Sequence, residues 1–229
     1  MVQIIMIEVG SPKSSNSNKL ISIILGLPWV EIATGAWKFA RKILRGLSNE
    51  GMYEVLDYES TLMIQDTEGK KATIAKRQKV RYLQDNIIAY QDQGWGDGTI
   101  LLDYQCSPGK AVDRYHFGHK EIVLISLQEA KNKGMTDEFD IHWEIENGFV
   151  NEKESWATLI QHRTRNLRIN IIFPQGRSPK EAYLVEGNSR RRHQIDSSQN
   201  SKLSDGRWQI KWESQKLKLY ESYIIEWIW

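Results

Sequence analysis

Cys106, His116 and His119 are the side chains that come nearest to a nucleophile or a metal set. A thiolate beside an imidazole can attack an acyl carbon, and a thiolate with two imidazoles can hold zinc. The spacing supports neither chemistry. Positions three apart in a strand point to opposite faces, so His116 and His119 converge only if Gly118 breaks the strand. No HExxH, CxxC or GxSxG pattern is present, and Ser107-Pro108-Gly109 beside the cysteine reads as a turn. The sequence therefore predicts no catalytic residue and no metal site.

Asp140, His142, Glu144 and Glu146 share one face of a strand whose other face carries Ile141, Trp143 and Ile145. Paired carboxylates can do acid–base work or hold a cation when a second strand supplies partners. Strict alternation is also the ordinary pattern of a sheet with one wet face, and it is read that way here.

Arg190, Arg191 and Arg192, followed by His193, form the densest basic group, and Arg163, Arg165, Lys202 and Arg207 add to it. Such a set can contact phosphates, which gives a nucleic-acid or nucleotide binder as one alternative function. Trp208 and Trp212, however, fall on the apolar parity of their strand, where they pack in a core instead of stacking on bases. Lys76, Arg77, Lys79 and Arg81 lie in an otherwise acidic segment and extend no basic stripe.

Gly10, Ser11, Pro12 and Lys13, with Ser15, Asn16, Ser17 and Asn18, follow the β-branched run Val2 to Val9. This opening resembles the phosphate loop of flavodoxin-like flavin reductases, and the resemblance implies a flavin- or phosphate-binding enzyme as a second alternative. It covers about a dozen residues. That family repeats βα units, and the chain departs from them at Tyr53, so no cofactor is expected.

The elements that must position these groups follow from periodicity. Trp29, Ile32, Ala36, Trp37, Ala40 and Leu44 recur at three-and-four spacing, with Lys38, Arg41, Lys42 and Arg45 on the opposite side. Pro28 starts this amphipathic helix and Gly46 to Gly51 stops it. Trp29, Trp37, Lys38, Arg41, Lys42 and Arg45 form the candidate surface for a partner protein or an anionic membrane. Beyond Tyr53 short runs alternate with turn signals, as in all-β modules. Strands are expected near 53–65, 71–83, 86–91, 100–105, 111–117, 120–128 and 139–146, then at 167–173, 208–212 and 223–229. Glu152 to Ser155 reads as a junction, and Gly187 to Gly206 as a mobile loop.

The predicted fold is mainly β. It has an N-terminal strand, polar loop and basic helix (1–50), an acidic antiparallel module (51–152), and a basic, sandwich-like module (153–229). Charge follows these divisions: six Lys/Arg against three acids, eleven against eighteen, and fourteen against eight. Nine tryptophans and nine tyrosines in 229 residues suffice for a packed core, which excludes wholesale disorder. The single cysteine and the lack of a basic, apolar leader at the N-terminus favour a cytoplasmic setting. The expected function is a non-enzymatic interaction or accessory protein.

Overall fold

The computed structural model describes residues 51–196 and 198–229. The expected strand at Val2 to Val9, the Ser-rich loop and the basic helix with Trp29, Trp37, Lys38, Arg41, Lys42 and Arg45 lie outside the described residues.

The described chain is mainly β, with three sheets and no helix among the described residues. Before residue 152 the strands are β1 (Tyr53–Ile64), β2 (Lys71–Tyr82), β3 (Ile87–Gly94), β4 (Thr99–Ser107), β5 (Lys110–Phe117), β6 (Lys120–Lys131) and β7 (Thr136–Glu146). After it come β8 (Lys153–Leu159), β9 (Leu167–Phe173), β10 (Glu181–Glu186), β11 (Arg191–Gln194), β12 (Asn200–Lys202), β13 (Trp208–Ser214) and β14 (Ser222–Ile228).

A seven-stranded sheet runs β12-β13-β9-β1-β2-β7-β4, a four-stranded sheet β11-β10-β14-β8, and a three-stranded sheet β3-β6-β5. The large sheet thus takes strands from both sides of residue 152. Its join is β1 with β9, which run parallel, Tyr58 opposite Leu167 and Leu62 opposite Ile171. This pair departs from the antiparallel pattern expected throughout. Sequence periodicity sets which face a strand buries, but not which distant strand it lies beside.

Burial follows parity. Leu62 and Ile64 of β1, Phe139 and Ile141 of β7, and Ile169 and Ile171 of β9 are almost wholly inaccessible. The final strand contributes Tyr223, Ile225 and Trp227, and Trp229 follows them into the core. Trp227 meets Phe173 edge-on at 5.5 Å and Trp229 edge-on at 5.9 Å, the geometry that ring quadrupoles prefer. The outward face of β7 is wet as read: Asp140, His142, Glu144 and Glu146 are exposed, and Arg77 Nε lies 3.6 Å from Asp140.

Two expectations change. Glu152 to Ser155 is not a bare junction, because Lys153 to Ser155 begin β8, paired antiparallel with β14. Gly187 to Gly206 contains β11 and β12, held by pairing to β10 and β13. Both segments are polar because they form sheet edges, where one side of the strand faces solvent.

Candidate functional site

β3 and β8 are each the end strand of a sheet, so each has a backbone edge that no described strand pairs. Both edges border one cavity of about 220 Å³, walled by Tyr90 to Asp97 on one side and Glu154 to His162 on the other. Consecutive residues of both strands reach it, as expected where a cavity runs along a strand edge and not beneath one face. Its floor is the seven-stranded sheet, through Tyr58, Lys76, Gln78, Trp143 and Ile145.

Several local devices aim these residues. Along β2 the even positions face inward, so Ala72, Ile74, Val80 and Tyr82 are buried, and Lys76 and Gln78 with them. In β1 a bulge between Val55 and Asp57 shifts the register, which brings Tyr53 and Val55 to the cavity side together with Tyr58. Gly98 turns the chain into β4 at φ 74°, and a Cβ there would lie 2.1 Å from the Glu146 carbonyl oxygen. Only glycine fits that approach, which holds the 95–98 turn at one end of the cavity.

Lys76 and Asp92 are the electrostatic centre. They are 7% and 4% exposed, and Lys76 Nζ donates to Asp92 Oδ1 at 2.9 Å and to the Gln93 carbonyl at 2.9 Å. The same ammonium sits 4.2 Å from the Trp143 ring centroid, and Tyr104 donates to Asp92 Oδ2 at 3.2 Å. Burial opposes the charge on Lys76, but the Asp92 carboxylate and Tyr58 hold its pKa above the ordinary lysine value. Both ions are thereby paired and hydrogen-bonded, as buried ions must be.

Around this pair stand aromatic rings and amides. Tyr90 stacks on Phe139 at 4.0 Å and donates to Gln78 Oε1, while Tyr53 packs against His162 at 4.2 Å. Burial pushes the His162 pKa down to about 4, so the imidazole is neutral at pH 7. Its Nδ1 and the Gln91 Oε1 are inaccessible and have no hydrogen-bond partner among the described residues. Across the opening, Gln93 Nε2 donates to Gln161 Oε1 at 2.7 Å.

None of these groups was among the sequence candidates. Arg190 lies in a turn at φ 53°, and Arg191 and Arg192 are exposed on β11. Arg192 stacks over Tyr183 at 3.6 Å and lies 3.6 Å from Glu226. His116 is exposed near the end of β5 and His119 is exposed in the β5–β6 turn, and Cys106 is half-buried. Burial pushes the Cys106 thiol up, away from the thiolate a nucleophile needs. Among the described residues no three His, Cys, Asp or Glu side chains gather as a metal set. No helix among them is long and apolar enough to cross a membrane.

No family model matches the chain, and no curated protein does. Solved structures resemble the chain in part. A putative protease from Parabacteroides distasonis superposes with a TM-score of 0.50 at 8% identity, over 78% of this chain and 40% of that one. An M1 zinc metallopeptidase from Deinococcus radiodurans gives 0.44 at 7% identity, over 76% and 42%. The chain spans less than half the length of either protein, and the likeness to the first concerns the fold alone.

Proposed function

We propose that this chain is a non-enzymatic interaction protein that binds an extended peptide segment in the cleft between β3 and β8. The supporting observation is the placement of two unpaired strand edges on one cavity, bridged by the Gln93–Gln161 side-chain bond. A free edge offers a row of backbone donors and acceptors that a peptide strand can satisfy, while side-chain pockets supply selectivity. A space of 220 Å³ is below the range of drug-sized pockets and suits one large side chain.

In this reading the partner is a protein and the setting is cytoplasmic. The basic amphipathic segment with Trp29, Trp37, Lys38, Arg41, Lys42 and Arg45 would add a second contact, to that partner or to an anionic membrane. The sandwich-like character of residues 153–229 belongs to the same proposal.

Calorimetric titration with pools of capped pentapeptides, Val, Ile or Thr at every position but the centre, tests the binding. Saturable 1:1 binding is expected, weakened in Ala157→Pro, which removes a backbone N–H from the free edge of β8, with peptides recovered intact by mass spectrometry. Absence of saturable binding, or peptide cleavage, would overturn the proposal.

A further inference from the structure

Four charged side chains line the cavity: Lys76 is positive, and Asp92, Asp97 and Glu154 are negative, a balance of −2. Lys76 and Asp92 neutralise one another, which leaves Glu154 and Asp97 at the β8 end. Glu154 is only 9% exposed. One of its oxygens accepts the Asn151 amide at 2.6 Å, and no cation lies within ion-pair distance of it among the described residues. Burial raises its pKa and the Asn151 hydrogen bonds oppose that; Asp97 adds to the raise, and the more distant Arg177 works against it. A buried carboxylate beside a second one, with no cation in direct ion-pair contact, is a site that a ligand cation stabilises.

The cations nearby already have other partners. Arg177 stacks on Trp229 at 3.7 Å and donates to the Thr67 carbonyl at 2.7 Å. Lys120 lies 5.1 Å from the Trp95 ring and 3.4 Å from Gln93 Oε1. Trp95, Trp143, Trp156 and Phe149 line the same space, and ring faces attract ammonium and guanidinium groups while covering their aliphatic stems.

We propose that the residue seated in the cavity is a lysine or arginine of an extended peptide. Its stem lies among Trp143, Trp156 and Phe149, and its charged head meets Glu154 and Asp97. This inference rests on the peptide-binding reading and adds the chemistry of the central residue.

The test compares three capped pentapeptide pools that differ only at the centre: lysine, norleucine or glutamate. The lysine pool is expected to bind about tenfold more tightly than the norleucine pool, and the glutamate pool more weakly still. Asp97→Asn and Glu154→Gln are each expected to remove most of that advantage, bringing the lysine and norleucine pools toward equal affinity. Asp97 is exposed, so its variant keeps the test decisive even if Glu154→Gln fails to fold. Equal binding of lysine and norleucine pools overturns the inference and leaves the peptide-binding reading intact. Binding of none of the three overturns both. Butylamine binding as tightly as the lysine pool shows an amine site without a strand, and also overturns it.

Discussion

Gln93 on β3 and Gln161, two residues beyond β8, share a 2.7 Å side-chain hydrogen bond across the mouth of the cleft. A strand entering between the two edges must break that bond. Gln161→Ala removes it from the free protein only, so peptide affinity is expected to rise. A side-chain hydrogen bond is worth about 0.5–1.5 kcal/mol net, which corresponds to roughly two- to tenfold tighter binding. Calorimetry on the variant checks this, and Gln161 is exposed enough that melting should not change.

Lys76 and Asp92 predict a stability asymmetry. Lys76→Met leaves Asp92 buried without its cation and is expected to cost about 3–5 kcal/mol. Combining it with Asp92→Leu removes both charges and is expected to recover most of that loss. Urea unfolding of the two variants measures the difference; equal losses would show that Lys76 acts through packing alone.

His162 sets a pH dependence. Its folded pKa is about 4 against an ordinary value of 6.5, so between those values the unfolded chain binds a proton that the folded chain does not. Its contribution is therefore complete above pH 6.5, shrinks as pH falls, and is gone by about pH 4. The full effect is at most about 3 kcal/mol. Comparing unfolding at pH 7 and pH 4.5 for wild type and His162→Gln isolates it: the variant is expected to lose less stability on acidification.

Trp227 tests the core. It is fully buried between Phe173 and Trp229, and its indole Nε1 has no hydrogen-bond partner among the described residues. Trp227→Ala is expected to cost about 3–5 kcal/mol. Trp227→Phe keeps most of the ring and removes the unpaired donor, so thermal melting should show a much smaller loss.

Much of the fold is legible in the parity of the strands. Leu167, Ile169 and Ile171 alternate with Arg168 and Asn170 and are buried with Phe173, as are Tyr223, Ile225 and Trp227. The site was also partly visible: Lys76 shares parity with Ile74 and Val80, and Asp92 shares it with Tyr90, so each is a charge on a core face. Grouping Lys76 with its exposed neighbours Arg77 and Lys79 hid that signal. The rest depends on distant partners. Nothing local marks the bulge after Val55, the parallel seat of β9 beside β1, or β8, whose charged start reads as a linker.

The central claim is that a peptide strand pairs with β3 and β8. Backbone amide hydrogen exchange, measured with and without a saturating lysine-centred peptide pool, tests it most directly. Slowed exchange confined to Ile87–Gly94 and Lys153–Leu159 is the result predicted. Binding that leaves both strands unchanged, or that protects the outer edges β4 and β12 instead, would contradict it.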